Sequence, residues 1–435
     1  MYVNNFVMST SIINTLNYHQ TQASKHLLNI STGLKIRSVA DDPSGWAIGQ
    51  RMDVRIRSLD AANSNAQQMK SLLKVADGGI GSTVDILKKL KEKAIEAAND
   101  TATDGDRQTI QKLFDQYVDQ IDDNAYVNYN GKNLLDGSRQ GAAQATQQAY
   151  TNRALSTDTT ATTKLTDLAR RSGDSLGITD SDTVNVSYVK DGKTYSASFS
   201  AKDATVEDIF KKMNDINGDV FDAANLSTTS VIGTDAYGAE KQTVDGENAL
   251  TIRAKTAGKD GAIAGFTIGV TDSKGQEKKS VNRVFNEFTE TIEPRNAVSD
   301  GSLYAQTSAD ANRGMKMSVG DMRSEALGLR GRDGTVLSVT TKEGANAAMN
   351  VLDNALSRAL DQQTTVGAMS SRLDYTISNL TVQSENLTDA KSTILDADMA
   401  KEMLAYTKEN VLMQAAMAML AQNNQNAAWF LSLLG

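Results

Sequence analysis

The sequence predicts a mainly α-helical protein: a long helical coiled-coil rod formed by both termini, with a β-hairpin region and an inserted α+β outer domain. Three patterns predict this class. Near the C-terminal end, apolar residues recur every seven positions, which is the repeat of a helix that buries a narrow seam. Near the start, apolar residues follow three- and four-residue steps, and between these regions the pattern alternates as in strands. The first series is Val366, Leu373, Leu380, Leu387 and Ile394, and the second is Ile13, Leu16, Ala23, Leu27, Ile30 and Leu34.

A seam of this kind predicts a partner helix. Burying the five aliphatic side chains of the first series is worth roughly 8–15 kcal/mol, whereas an isolated helix is marginal in water. We therefore expect the helix around 366–394 to be stable only when another helix, of the same chain or of a neighbouring subunit, covers it. The N-terminal series is one candidate for that partner.

The first third of the chain is helical in pattern. A segment of about 10–37 is followed by a turn sequence, because proline disfavours helical backbone in the residue before it and a following glycine favours a turn. A long amphipathic pattern then continues as far as Ala98, residues 99–106 predict a polar turn, and another amphipathic helix starts at about 110. The residues at the first break include Asp41, Asp42, Pro43 and Gly45.

The middle of the chain is different in kind. Period-2 alternation over 184–188 and 195–199 flanks Asp191-Gly192, which is a strong hairpin signal. A short helix is expected over 205–214, and further strands around 250–254 and 266–270. We therefore expect a compact α+β insert, followed by helices from about 344 onwards.

The composition excludes several functions. The chain has 435 residues, enough for about two to four domains, and a net charge of −8 without long charge runs, so neither nucleic acid nor a membrane is an expected partner. The absence of cysteine excludes disulfides and thiolate sites, and it suits export in an unfolded state. The first basic residue is Lys25, so no secretory signal peptide is expected at the start. Residues 422–426 interrupt the apolar C-terminal stretch with amides, which argues against a membrane span.

Few residues are candidates for chemistry. His19 and His26 lie seven positions apart on one predicted helix, and we interpret them as packing or solvent-facing residues rather than a metal pair. The aspartate pairs 41/42 and 396/398 lack the spacing of a calcium loop and are expected to cap helix starts. The sequence predicts no catalytic residue, no metal site and no cofactor.

Several separated motifs resemble the bacterial flagellin family. Residues 28–38 (LNISTGLKIRS) and 40–45 (ADDPSG) are similar to the family's terminal helix and hinge, and residues 130–138 (NGKNLLDGS) to its turn into the first β-hairpin. At the other end, residues 394–402 (ILDADMAKE) and 414–422 (QAAMAMLAQ) resemble the C-terminal signature. In short flagellins a segment like 311–329 follows soon after that hairpin turn, which implies that 139–303 is an inserted outer domain.

The resemblance implies an architecture and a role. The segments would be an N-terminal filament-core helix (1–44), N-terminal rod helices (45–138), the variable insert (139–303), the C-terminal part of the rod (304–395) and a C-terminal filament-core helix (396–435). The chain would be an extracellular structural subunit of the flagellar filament whose terminal helices become ordered on assembly. The implied hinge is Asp41, Asp42, Pro43 and Gly45. To the two apolar series, the implied filament-core residues add Met399, Met403, Leu420, Leu431 and Leu434.

The resemblance also implies partners. They are further copies of the chain, the flagellar export apparatus and its chaperone, hook-associated and cap proteins, and the mammalian flagellin-sensing Toll-like receptor. The receptor-facing positions would be Lys89, Glu92, Lys93 and Leu113, of which only Glu92 keeps the residue expected for strong recognition. Two other functions stay open at this point: a hook–filament junction adaptor, and an enzyme carried by the insert. The insert contains no histidine, no cysteine and no glycine-rich phosphate loop, which argues against the enzyme.

Overall fold

The computed structural model describes residues 5–218 and 220–432. Its helices are α1 (Asn5–Thr32), α2 (Pro43–Ala98), α3 (Asp104–Ala125), α4 (Val206–Asn217), α5 (Lys279–Phe285), α6 (Lys342–Leu395) and α7 (Met399–Ser432). Its strands are β1 (Asn128–Tyr129), β2 (Lys132–Asn133), β3 (Ala149–Asn152), β4 (Thr183–Lys190), β5 (Lys193–Ser200), β6 (Ser227–Thr229), β7 (Val231–Thr234), β8 (Glu240–Gln242), β9 (Ala249–Arg253), β10 (Gly265–Thr271), β11 (Phe288–Ile292), β12 (Leu303–Ala305) and β13 (Met315–Met317). The fold is mainly helical with a strand-containing middle, which confirms the predicted class.

The described residues form two compact units. The first, which we call the terminal unit, comprises residues 5–66, 306–313 and 375–432. The second, which we call the central unit, comprises 67–305 and 314–374, apart from residue 219. These units do not follow the five segments that the sequence suggested, and that segmentation stays a prediction.

The helix limits have local causes. Pro43 is the first residue of α2, where its missing N–H is no loss. α3 begins at Asp104, earlier than expected, because Thr103 and Asp106 form a capping box. α1 ends at Thr32, so the predicted continuation to about 37 is wrong; Gly33 has a φ of 72°, which takes the chain out of the helix.

The predicted hairpin is confirmed. β4 and β5 pair in antiparallel register from Thr183↔Ser200 to Lys190↔Lys193, and the turn places Asp191 and Gly192 at φ 48° and 73°. Positive φ at both central residues defines the type I′ turn that matches strand twist. β10 extends this sheet in the order β10-β4-β5, and a second sheet has the order β11-β3-β9-β6.

An aromatic cluster fills the core of the insert. The rings of Tyr150, Phe210 and Phe221 each pack edge-on against Phe266, with centroids 5.0–6.0 Å apart. Sequence reasoning missed Tyr150 and strand β3, because this stretch is rich in glutamine and threonine. Its polar groups are buried in pairs: the Thr151 hydroxyl lies 3.1 Å from the hydroxyl of Thr251 on β9.

Polar contacts bind the insert to α6 within the central unit. Asn350 and Asn354 donate side-chain hydrogen bonds to the carbonyls of Phe266 (2.8 Å) and Ala264 (2.9 Å). Arg358 Nε donates to Glu290 Oε2 (2.8 Å), and its Nη1 donates to the Ala326 carbonyl (2.9 Å). Burial opposes the charged form of Arg358, but the Glu290 carboxylate raises the pKa of the guanidinium above its usual range.

This buried ion pair gives the first prediction. Glu290→Gln removes the carboxylate that is hydrogen-bonded to the buried Arg358 guanidinium, and we expect the free energy of unfolding of the central unit to fall by about 3 kcal/mol. Guanidinium denaturation followed by circular dichroism measures it. Glu287→Gln is the control, since the Arg283–Glu287 pair is exposed and should contribute little. Equal effects of the two changes would contradict a structural role for the Arg358–Glu290 pair.

Candidate functional site

The two ends of the chain pair with each other. Asn423 Nδ2 donates to Ser9 Oγ (2.7 Å), whereas His26, much later in α1, lies against Glu402 near the start of α7. This order makes α1 and α7 antiparallel. Among the described residues of α1 and α7, the buried ones are small or polar: Ala23, Asn29, Ala416 and Asn423.

The partners of the two predicted apolar series are not the expected ones. The N-terminal series was a candidate to cover the helix of 366–394, and this is wrong: α1 packs on α7. In the terminal unit, Leu380 of α6 packs instead on Leu59 and Ala62 of α2, with Leu387 beside them. The sequence alone could not decide whether α1 or α2 covers α6, because α2 carries an equally regular apolar pattern.

Polar contacts also align α2 with α6 in the terminal unit. Lys391 pairs with Asp53, and the pKa of this carboxyl is lowered chiefly by the hydrogen bond from Lys391. Ser384 Oγ donates to Asp60 Oδ1 (2.9 Å), and Asn63 Nδ2 donates to Thr381 Oγ1 (3.2 Å). The contacts follow an antiparallel order and fix the register of the two helices.

The two helix breaks lie against each other. The amide of Ala397 donates to the Gly33 carbonyl (2.8 Å), and the amide of Lys35 donates to the Leu395 carbonyl (2.7 Å). The Leu395 side chain fills the space over Gly49, where an added Cβ would lie within 2.7–2.9 Å of its carbon atoms. The ends of α1 and α6 and the starts of α2 and α7 are therefore joined at one junction.

The predicted hinge residues form hydrogen-bonded turns at this junction. Asp41 Oδ2 accepts the amides of Arg37 (3.2 Å) and Ser38 (3.1 Å), which lower the pKa of its carboxyl, the Arg37 amide most. Asp42 Oδ1 accepts the Ser44 amide (3.0 Å) at the start of α2. Gly45 is buried, and a Cβ there would lie 2.6 Å from both the Asp42 carboxylate and the Ile36 side chain. Movement about these residues stays a prediction.

The aspartates before α7 act as expected. Asp398 Oδ1 accepts the amides of Ala400 (3.0 Å) and Lys401 (3.2 Å), which is a helix cap. Among the described residues no group of three or more histidine, cysteine or acidic side chains is placed to hold a metal ion. No described helix is long and apolar enough to cross a membrane.

The predicted filament-core residues fall into three groups. Ala23, Val366, Leu373 and Leu380 are buried in the single chain, and Leu16, Ile30, Leu34, Leu387, Ile394 and Leu420 are half-buried. Four others are exposed: Ile13, Leu27, Met399 and Met403. The side chains of Leu431 and Leu434 lie outside the described residues. Packing of these residues in a filament stays a prediction.

Further large apolar side chains of the terminal helices are exposed. On α1 they are Val7, Met8, Tyr18 and Leu28, and on α7 they are Leu404, Val411, Met417, Met419 and Trp429. An apolar surface of this extent is typical of an interaction site. The sequence contains a signal for this surface, because apolar residues occur on all sides of α7 rather than on one face.

The four receptor-facing candidates lie on α2 and α3 in the central unit. Lys89 and Glu92 are exposed, and Lys93 and Leu113 are half-buried. Lys93 Nζ lies 2.5 Å from Glu96 Oε2, and this hydrogen bond is the main cause of the raised pKa of the Lys93 ammonium.

The fold and the exposed helices define a class: a structural protein with paired helical ends, a strand-containing middle and an uncovered apolar surface. The N-terminal helical region of bacterial flagellin matches residues 3–140, and its C-terminal helical region matches residues 349–434. A flagellin of Clostridium tyrobutyricum is 31% identical over 98% of this chain and 99% of its own length. Polar flagellin A of Vibrio parahaemolyticus is 28% identical over 100% of this chain and 99% of its own length. The flagellin of Bacillus subtilis is 26% identical over 100% of this chain and 100% of its own length. The chain belongs to the bacterial flagellin family.

Solved structures of flagellar proteins are also similar to this chain. FliC from Burkholderia pseudomallei is 19% identical, with a TM-score of 0.25, over 70% of this chain and 99% of that one. A hook-associated protein 3 from Legionella pneumophila is 13% identical, with a TM-score of 0.34, over 79% of this chain and 98% of that one.

The family assignment confirms a structural subunit of the flagellar filament that assembles with copies of itself, and it favours this function over a junction adaptor. Flagellins are structural proteins, so the hypothesis of an enzyme is rejected.

The packing of Leu380 gives the second prediction. Leu380→Asp places a charge among Leu59, Ala62 and Leu387, and we expect it to lower the free energy of unfolding of the terminal unit by about 3 kcal/mol. The chain's two tryptophans, Trp46 and Trp429, belong to this unit, so their fluorescence during urea denaturation measures the change. Val382→Asp is the matched control, because Val382 is exposed two residues further along α6. A comparable loss in both variants would show that the seam is assigned incorrectly.

Proposed function

We propose that the exposed apolar side chains of α1 and α7 are the surface through which successive subunits assemble, and that they become buried in the filament. The observation that supports this most is the exposure of Leu404, which is 74% exposed on α7, next to Met403 at 49%. Both lie in one of the family's two matched helical regions. An isolated pair of helices gains nothing from presenting these groups to water, whereas covering them contributes about 1.5–3 kcal/mol for each large side chain.

The composition of the α1–α7 pair supports a role in assembly rather than in holding a single chain rigid. Its buried side chains are small or amide-bearing, so the pair by itself buries little apolar surface. Regions with few buried apolar contacts open at low free energy. We therefore infer that neighbouring subunits complete the order of the terminal helices, and that Asp41 to Gly45 act as a hinge while this happens.

The assembly surface gives the third prediction. Leu404→Asp is tolerated in the monomer, where the side chain faces water, but it buries a charge in the polymer. We expect the critical concentration for polymerisation to rise at least about tenfold, with the circular dichroism spectrum of the monomer unchanged. Sedimentation of seeded polymers and negative-stain microscopy measure it.

The matched control for this experiment lies in the insert. Val244 is 87% exposed, and Val244→Asp makes the same chemical change on a surface that we do not assign to assembly. It should polymerise like the wild type. Normal filaments from Leu404→Asp, or an equal defect in Val244→Asp, would argue against the proposed surface.

Other partners follow from the family and are proposals for this chain. They are the flagellar export apparatus with its chaperone, the hook-associated and cap proteins, and an extracellular position in the filament. The absence of cysteine supports passage through an export route in an unfolded state, since no disulfide can form on the way.

Recognition by the mammalian flagellin-sensing Toll-like receptor is proposed to be weak. Lys89 lacks the planar guanidinium that pairs with a carboxylate through two bonds. Lys93 offers an ammonium, already held by Glu96, where an apolar contact is expected, and Leu113 offers no acceptor. An unpaired polar group on the receptor costs about 1–3 kcal/mol.

A reporter-cell assay on purified monomer tests this fourth prediction. We expect the triple variant Lys89→Arg, Lys93→Leu, Leu113→Glu to lower the half-maximal concentration at least about tenfold. Lys88→Arg is the control, because Lys88 is exposed on the same helix and pairs only with Asp85 among the described carboxylates within 4 Å. A wild-type response already equal to that of a strongly sensed flagellin would contradict the proposal.

A further inference from the structure

A cleft with a volume of about 850 Å³ lies in the central unit. Its walls come mostly from α6, from the end of β11 and the segment after it, from the β7–β8 turn, and from the stretches that follow β2 and β13. A space of this size holds a small organic molecule. Most of the side chains around it are polar or charged, so the cleft differs from the aromatic core of the insert.

The cationic side chains that line the cleft already have carboxylate partners. Asp321 Oδ2 lies 2.8 Å from both Lys259 Nζ and Arg323 Nη2. The other three cations, at positions 241, 295 and 358, each have a carboxylate partner within 4.0 Å. An anionic ligand such as phosphate would have to displace these carboxylates, so the arrangement argues against an anion site.

Two neighbouring side chains of α6 that line the cleft are not paired in this way. The Asp361 carboxylate is exposed and has no cation within 4.0 Å among the described residues. The Gln362 Nε2 atom is buried and has no hydrogen-bond partner in the described part of the chain. A hydroxyl group both donates and accepts hydrogen bonds, so an acceptor beside a donor matches the adjacent hydroxyls of one ligand.

Two glycines keep the wall close to these polar groups. A Cβ at Gly320 would lie 2.7 Å from Gln362 Oε1, and a Cβ at Gly137 would lie 3.0 Å from the carboxylate carbon of Asp321. Gly137 also has a φ of 81°, which favours glycine. A larger residue at either position would displace the side chains of the cleft, so the glycines maintain its shape.

An exposed aromatic ring also lines the cleft. Tyr237 is 62% exposed in the β7–β8 turn, where Asp235 Oδ1 accepts the amides of Tyr237 and Ala239 (2.9 Å each). Arg295 Nη1 donates to Tyr237 Oη (3.1 Å), and its guanidinium carbon lies 5.7 Å from the ring centroid. These contacts hold the ring in place while most of its surface stays open to a ligand.

We propose that this cleft binds a neutral saccharide of two or three sugar units. The C–H face of a pyranose ring is apolar and stacks on an aromatic face such as that of Tyr237. The hydroxyls of the sugar match the acceptor of Asp361 and the donor of Gln362. The paired charges of the wall suit an uncharged ligand, because they can hydrogen-bond to hydroxyls without losing their own partners.

The inference does not depend on the proposed assembly surface, because every residue of the cleft belongs to the central unit. Binding by one cleft need not be strong. A polymer repeats the site in each subunit, and linked sites bind a polysaccharide more tightly than a single site does.

An array of neutral, sialylated and sulfated oligosaccharides, probed with the fluorescently labelled full-length monomer, tests the inference. We expect binding to neutral oligosaccharides, and isothermal titration calorimetry with the strongest of them gives the affinity. Tyr237→Ala and Asp361→Ala should each weaken this binding at least about tenfold. Both side chains are exposed, so the circular dichroism spectrum should not change.

Tyr375→Ala and Asp389→Ala are the matched controls. Both residues are exposed on α6 and neither lines the cleft, so both variants should bind like the wild type.

Three results would overturn the inference. The first is an array on which the wild type binds no neutral oligosaccharide more strongly than Tyr237→Ala does. The second is binding confined to the sialylated or sulfated members, which would indicate an anion site. The third is binding of an oligolysine peptide in place of sugars, lost in Asp361→Ala, which would indicate a site for basic peptides.

Discussion

The terminal unit depends on the junction where both helix breaks meet. Two chain ends separated by almost the whole sequence carry a loop-closure entropy cost of about 5 kcal/mol if nothing holds them together. The α2–α6 contacts remove this difficulty, since Leu395 packs over Gly49 and the Gly33 carbonyl accepts the Ala397 amide at 2.8 Å. α1 and α7 therefore start side by side, and their pairing is in effect a local event.

The two helix pairs of the terminal unit are held in different ways. Between α2 and α6, Leu380 lies in an apolar cluster and is flanked by polar contacts that set the register. Between α1 and α7, the buried residues are alanines and asparagines, while large apolar side chains face water. Polar groups therefore set the register of the second pair, and apolar burial contributes little to its stability. These properties suit a surface from which a neighbouring subunit displaces water.

The central unit shows how an insert can be joined to a helix without losing its own core. Aromatic rings around Phe266 make the insert a compact body, and the strands that carry Tyr150 and Glu290 present polar groups to α6. The buried Arg358–Glu290 pair makes this contact specific, because either charge without the other is costly at such burial.

The sequence by itself determined the class, the long helices, the Asp191-Gly192 hairpin and the family, because each depends on local periodicity, turn chemistry or contiguous motifs. It also located the helix breaks and the caps formed by Asp42 and Asp398.

Only the tertiary structure decided which helix packs on which. Leu380 of α6 packs on α2, and α1 packs on α7, although several helices carry similar apolar patterns. The sequence did not reveal strand β3 either, since its buried Thr151 is paired with Thr251 on β9, about a hundred residues away. The contacts of His19 and His26 with α7 could not be predicted from the sequence either. Their partners lie nearly 400 residues away along the chain, so packing decides them and the neighbouring residues do not.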